Sequence, residues 1–425
     1  MADRPILVAG GGIGGLAAAL ALGRKGHDVR LLEQADEFGE VGAGLQLGPN
    51  VFRMFRQLEL TEAVSDLAFF PRALVMRDGF SGDEIIRVPV NTPEFSERFT
   101  YPYGVIFRPD LHRILVDACR AVPGIELELG RNVVAHEDNG DSVTVTCADG
   151  TRHEGAGLLG ADGLWSGIRN SVVGDGAPRV AGHVAYRAVL PIEQVPPHLQ
   201  FDTVVAWVGA RTHLVQYRLH RGDIMNLVAV FHSDRHDQGW DVFGDPAELH
   251  ASFSGQCADV QALLERIESW RMWVLCDREP ARCWSRGRVG LLGDAAHPTL
   301  QYLAQGACMA IEDAVCLADR LERCGGDVAA ALERYQSDRY LRTARVQLTS
   351  RFYGEVFHLS GAAADLRNYL LGDRSLDDTY KGMAWLYSGV DDTGGQIMDP
   401  NRPGPTPASS FGMKNTSRDP VTSCR

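Results

Sequence analysis

The chain opens on an apolar run, ILVAG at Ile6 to Gly10, that passes into a stretch dominated by Ala and Leu and ends near Gly26. A short apolar run bounded by glycines predicts a buried strand, and the Ala/Leu stretch predicts a helix stopped at Gly26. The run DVRLLEQ then predicts a second strand ending at Glu33. Strand, glycine-rich turn, helix and strand within about 30 residues make one βαβ unit. Further strands are predicted at IELELG, SVTVTCA, GLLGAD, TVVAWVG, HLVQYRL, MNLVAVFH and RVGLLGD. Between Ala181 and Cys276 apolar and polar residues alternate, the pattern of a half-exposed antiparallel sheet. Helical spacing returns at Met309–Leu321 and Val328–Arg351, and after Asp391 the chain turns rich in Pro, Gly, Ser and Thr. That last composition predicts an irregular tail. The elements together predict an α/β fold, Rossmann-like in its first part, with an antiparallel-sheet domain and a C-terminal helical and irregular segment.

Composition narrows the function more than the fold. A chain of 425 residues exceeds one ordinary core, so two or three domains are expected at about 150 residues each. Net charge is −13, from 42 basic and 55 acidic residues, with no Lys/Arg run. This balance argues against nucleic acid or an anionic membrane as the main partner. An anionic small substrate would need local Arg, His or backbone donors. The nine cysteines, at 119, 147, 257, 276, 283, 308, 316, 324 and 424, form no CxxC pair, and most sit in apolar contexts. They are expected to be reduced in a cytoplasmic protein, and no metal site is expected. PILVAGGG follows the start without a basic region or cleavage site, so no signal peptide is expected. The longest apolar runs are too short and glycine-broken to span a bilayer.

Three motifs carry the chemistry. Gly10-x-Gly12-x-x-Gly15, with Ile13 and Gly14 inside it, sits between the first strand and helix. Its glycines allow a tight turn, close approach of backbone to a pyrophosphate, and packing of helix on strand. The helix N-terminus then faces phosphate charge, and Glu33 is placed to accept hydrogen bonds from a ribose. A second stretch, LLGADGLWSGIR, ends an apolar strand in Asp162-Gly163, with Ser166 and Arg169 beyond. A third, LLGDAAHPTLQYLAQGA, ends one in Gly293-Asp294, followed by Pro298, Gly306 and Ala307. A carboxylate at the end of a buried strand is costly unless something hydrogen-bonds it.

In these three ordered motifs, over roughly residues 5 to 350, the chain resembles the class A flavoprotein aromatic hydroxylases, single-component FAD monooxygenases. The resemblance implies FAD as cofactor and NADH as a transient co-substrate without a Rossmann domain of its own. It places Asp294 on the flavin ribityl chain and the Pro298–Ala307 loop along the isoalloxazine. The Met309 helix would point its positive end at the ring's pyrimidine side, stabilising reduced flavin. Asp162 stands behind the FAD and nicotinamide sites, and Arg108 in FRPDLHRIL matches an arginine set against the FAD. GEVGAGLQLGPN, Gly39 to Asn50, matches the mobile-flavin loop, bringing Gly44, Leu45 and Gln46 near the ring. Many relatives carry Arg directly after the ribose acid, where this chain has Gln34. The resemblance implies residues 1–70, 101–177 and 272–350 as the FAD-binding domain and 71–100 with 178–271 as the substrate-binding sheet domain. Residues 351–425 form the C-terminal segment.

HLVQY puts His213, Val215 and Tyr217 on one face of a strand, because strand side chains alternate with period two. A His and a Tyr on a sheet covering a flavin can hold a phenol, and His213 is the expected base; either could instead be packed in the sheet. Gln301 and Tyr302 are second candidates for a substrate hydroxyl or carboxylate, with Gln301 taken into the catalytic set. His183 and His297 are expected to be structural, and Arg187 is either a pocket cation or a sheet-edge charge. The strings DAAHPTLQYLAQGACMAIEDA, FGEVGAGLQLGPN and WLYSGVD at Trp385 look most like the 3-hydroxybenzoate 6-hydroxylases. Salicylate hydroxylases are close cousins. The expected reaction is para-hydroxylation of 3-hydroxybenzoate to 2,5-dihydroxybenzoate with NADH and O2, by a chain that can pair as a homodimer. A flavin dehydrogenase, or an FAD module without enzymatic activity, are the alternatives on the same fold.

Overall fold

The computed structural model describes residues 4–39, 43–234 and 242–397. Its first layer is a sheet with parallel strands in the spatial order Val289–Leu291, Gly157–Gly160, Ile6–Ala9, Val29–Leu32 and Ile125–Glu128, closed at one edge by the antiparallel pair member Ser285–Arg286. Ile6–Ala9 is buried along its whole length, which is why it reads as an unbroken apolar run. The helix Ile13–Arg24 lies on this sheet with Leu16 through Leu22 buried, and packs against the helices Gly306–Arg323 and Arg108–Ala121. Its packing depends on missing side chains. A Cβ at Gly15 would stand 1.9 Å from the Gly10 carbonyl oxygen, and one at Gly14 2.9 Å from the Leu292 side chain.

The second layer is a seven-stranded sheet in the order Arg271–Asp277, Arg179–Pro191, Ile224–His232, Thr212–Leu219, Val204–Gly209, Ala73–Asp78, Glu84–Pro89. All neighbours are antiparallel except Val204–Gly209 beside Ala73–Asp78. The predicted alternation has a direct cause. One face packs Trp207, Leu214, Leu227 and Phe231 against the helices Pro246–Ser252 and Ala258–Leu264. The opposite face, with Val215, Tyr217, Val228 and Arg187, looks into a cavity between the two layers.

Several elements differ from the sequence expectation. A small sheet joins Val133–Asp138, Val143–Cys147 and Arg152–Gly155, of which only the middle strand carried a strong apolar pattern. The long helix runs from Val328 to Phe357 rather than to Arg351, and the helix before it starts at Gly306 rather than Met309. Phe352, Tyr353 and Glu355 in the second extension are exposed, so apolar periodicity fades before that helix ends. Two more helices, Gly361–Gly372 and Leu376–Tyr387, fill the C-terminal segment. The tail beyond Ile397 lies outside the described residues, as do Cys424 and residues 40–42 of the Gly39–Asn50 stretch. Among the described residues seven cysteines are free, while Cys283 corrects the expectation of reduced thiols, being disulfide-bonded. Among the described residues no helix is long and apolar enough to cross a membrane.

Candidate active site

The two layers enclose a cavity of about 2030 Å³. At one end lie Gly10, Gly12, Ile13, Gly14 and Glu33. Gly10 sits at φ +112°, and a Cβ there would stand 2.4 Å from the Ala161 carbonyl oxygen, so only glycine serves. The helix Ile13–Arg24 follows from Gly12 with no side-chain cap, so its first turn, which lines the cavity, has N–H groups without an intrahelical partner. Glu33 accepts hydrogen bonds from the Gly11 backbone N–H at 2.5 Å and from Ala35 N–H at 2.8 Å. These contacts fix its orientation, and a carboxylate has further lone pairs for a ribose. Asp162 also lines the cavity. One of its oxygens accepts from Ile168 N–H at 3.2 Å, while the other, Oδ1, is buried with no hydrogen-bond partner.

The middle of the cavity is walled by Gly44, Leu45, Arg108, Asp294, Gly306 and Ala307. Gly44–Leu47 pairs with Gly104–Phe107, and Arg108 opens the next helix directly from that strand. Asp294 sits in a single turn, Gly293–Ala295, made possible by the φ of +60° at Gly293. Its carboxylate is open to the cavity yet surrounded by protein on its other sides. That burial raises its pKa above the usual carboxylate range, while His297 and Arg108 oppose the rise. A Cβ on Gly306 would approach no protein atom closer than 3.8 Å. Packing therefore does not demand this glycine; its effect is to keep the cavity wall bare at the start of a helix that has no side-chain cap. Two uncapped helix starts, an orphaned buried carboxylate oxygen and a bare glycine wall fit an elongated dinucleotide such as FAD. Gly15 and Pro298 stand behind the wall rather than on it, Gly15 in helix packing and Pro298 with its carbonyl accepting from Gln347 at 3.0 Å.

The sheet side of the cavity gathers His213, Val215, Tyr217, Val228, Arg187 and Trp273, with Gln301 and Tyr302 arriving from the loop. Register explains the grouping. Val215 pairs with Val228 and Val228 with Arg187, so these side chains form a row across three strands on one face. The Tyr217 ring lies against Gly44, where a Cβ would come within 2.4 Å of it. Burial raises the Tyr217 pKa well above its ordinary value, with the Arg187 cation working the other way. His213 is buried, and its Nδ1 shares a hydrogen bond of 2.8 Å with Nε2 of His358. Burial, reinforced by His183, pushes its pKa down to about 3, so the ring is neutral at physiological pH.

Arg187 resolves to the cavity, not to a sheet edge. It donates to Gln301 Oε1 at 2.5 Å, stacks over Trp273 at 5.3 Å, and keeps Nε buried without a hydrogen-bond partner. Among the described residues no carboxylate pairs with it. A half-buried guanidinium with a buried Nε and no counter-charge is a place for an anion. The sequence signal for this was slight, since one Arg in a strand does not announce which face it takes. Neither His183 nor His297 lines the cavity: His183 Nδ1 meets the Tyr302 hydroxyl at 2.6 Å and His297 Nε2 meets Asp313 at 2.6 Å. Arg169 is held by Asp175 and the carbonyls of Ala295 and Ala296. Sequence reasoning missed His358, which sits in a stretch without motif and reaches His213 only through the fold.

The family model described as "FAD binding domain" matches residues 3–350. The chain is 44% identical over 386 residues to the 3-hydroxybenzoate 6-hydroxylase of Polaromonas naphthalenivorans, covering 91% of this chain and 96% of that protein. It is 41% identical to the enzyme of the same name from Klebsiella oxytoca, covering 91% and 97%. Among solved structures, Klebsiella pneumoniae HpxO complexed with FAD and uric acid superposes with a TM-score of 0.80 at 27% identity, covering 92% of this chain and 97% of that one. With the uncapped helix starts and glycine-lined cradle in place, the chain belongs to the FAD-binding domain family of flavoproteins.

Proposed function

We propose that this protein is an FAD-dependent monooxygenase that converts 3-hydroxybenzoate, NADH, H⁺ and O2 into 2,5-dihydroxybenzoate, NAD⁺ and water. The observation that carries the substrate class is the unpaired Arg187 set beside Gln301 in the same cavity as His213 and Tyr217. The names of the relatives that share most of the chain support the particular hydroxybenzoate. We assign Gly10, Gly12, Ile13, Gly14 and Glu33 to the adenosine and pyrophosphate side of FAD, with Gly15 supporting that turn from behind. Gly44, Leu45, Arg108, Asp162, Asp294, Gly306 and Ala307 take the flavin side, with Pro298 supporting its wall from behind. The chemistry supplied by bound FAD is acceptance of a hydride from NADH and activation of O2.

The chain's own residues do the rest. Arg187 pairs with the substrate carboxylate and Gln301 fixes the guanidinium. His213, neutral because it is buried, accepts the phenol proton; the phenolate beside it then stabilises the imidazolium. A phenolate is electron-rich at its para carbon, which directs the oxygen there. Tyr217 holds the ring, and Val215, Val228 and Trp273 keep water from the site. Residues 1–70, 101–177 and 272–350 serve the cofactor in this reading, and 71–100 with 178–271 serve the substrate. Exposed Leu341, Leu348 and Phe352 on one helix support pairing of two chains, which light scattering would count. We place the enzyme in the cytoplasm, where NADH is available.

The deciding experiment is an oxygen-electrode assay of the purified yellow protein with a panel of hydroxybenzoates, repeated with Arg187→Met. Oxygen uptake stimulated by 3-hydroxybenzoate, with a KM at least tenfold higher in the variant, supports the reading. Turnover without oxygen consumption would make the protein a dehydrogenase instead.

A further inference from the structure

We infer that His183, His232 and His358 form a binding site for one divalent transition-metal ion of the zinc type, directly behind His213. His183 and His232 are cross-strand partners on adjacent antiparallel strands, with ring centroids 4.2 Å apart. His358, the residue that ends the long helix, closes the triangle at 4.9 Å from His183 and 5.2 Å from His232. Each offers one ring nitrogen, and those three nitrogens lie within 4.8 Å of one another. Nitrogens around a tetrahedral Zn²⁺ bound at about 2.0–2.1 Å stand roughly 3.3 Å apart, so small ring rotations would complete the set.

An independent observation points to a ligand. His358 is 8% exposed, its Nε2 is engaged by His213, and its Nδ1 is buried without a hydrogen-bond partner. Leaving a buried polar atom unmatched is costly, and a metal ion would satisfy it. His183 already carries the support typical of a metal-ligating histidine, because the Tyr302 hydroxyl at Nδ1 fixes its ring and leaves Nε2 for the metal. His232 is partly exposed and gives the ion a way in. Arg211 is an opposing cation near the group and Glu355 an attracting carboxylate. Three imidazoles select Zn²⁺, Cu²⁺ or Ni²⁺ over Mg²⁺ and Ca²⁺. The three positions are too distant in the chain to show a ligand spacing.

The test titrates ZnSO4 into the chelator-treated holoenzyme by isothermal titration calorimetry, with thermal unfolding in parallel. The expected result is one Zn²⁺ per chain and a higher Tm. His232→Asn and His358→Asn should weaken binding by about 100-fold, while His198→Asn, a surface imidazole elsewhere, should not change it. No saturable binding in the wild type, or unchanged binding in His232→Asn, overturns the site. A failed hydroxylase assignment would leave the calorimetric result standing.

Discussion

His213 carries the one imidazole that the seven-stranded sheet turns into the cavity among the described residues, so His213→Ala should cut hydroxylation by about 10²-fold. NADH oxidation should fall less, with the difference recovered as hydrogen peroxide, and product per NADH is the quantity to measure. Full coupling in this variant would move the base to the Gln301–Tyr302 loop. In the proposed reading Asp294 serves the cofactor. Its carboxylate faces the cavity from a turn that the backbone fixes, and removing it deletes a charge-assisted hydrogen bond of about 1.5–3 kcal/mol. Asp294→Ala should therefore weaken FAD binding roughly 10- to 100-fold, read by flavin fluorescence after gel filtration. Retention of full flavin content would show that Asp294 makes no such bond.

At the scale of elements, the contact between the Gly44–Leu47 strand and the Thr212–Leu219 strand sets the pocket floor. Gly44 N–H donates to Asn226 at 3.0 Å, and the missing Cβ leaves room for the Tyr217 ring. Gly44→Ala should push that ring aside and raise the substrate KM more than Tyr217→Phe, which removes one hydroxyl and keeps the ring. Adding Tyr217→Ala to Gly44→Ala should cancel most of the extra packing penalty, as a double-mutant cycle would show. The same pair shows what the sequence made legible. Period-two alternation correctly put His213, Val215 and Tyr217 on one face, and the glycine motifs located the cradle, because both are local properties of the backbone. Gly44 meeting Tyr217, Arg187 turning to the cavity and His358 reaching His213 are long-range pairings. Nothing near those residues in the chain encodes which partner the fold delivers.

Across the whole molecule, a buried ionic network ties the Gly293–Asp294 turn to Asn50 and to the segment from Trp385 to Gly394. Glu312 and Asp313, fully buried, pair with Arg339 and Arg342 of the long helix at 2.6–2.7 Å. Asn50 from the N-terminal part donates to Glu312 at 2.7 Å, and the carbonyls of Trp385, Leu386 and Gly394 near the C-terminus accept from the two arginines. Asp313 also accepts from Gly293 N–H at 3.1 Å, one residue before Asp294. Breaking a buried pair from one side strands a charge, so Arg342→Met should cost about 3–5 kcal/mol, visible as a lower Tm. The network also sets the acid limit of the fold. Burial alone would raise the Asp313 pKa, but the His297 and Arg339 charges overcome it and hold the group down at about 2. An unfolded Asp binds its proton below about 3.9. Between that value and 2 the unfolded chain holds the extra proton, so stability falls as pH falls; above the window the contribution is complete. Lowering the pH from about 4 toward 2 should unfold the protein and release flavin together, because the Gly293–Asp294 turn hangs on Asp313. Asp313→Asn should be less stable at neutral pH and lose part of the pH dependence in that window, measured by circular dichroism alongside flavin fluorescence. An equally steep acid transition in the variant would assign it to other carboxylates.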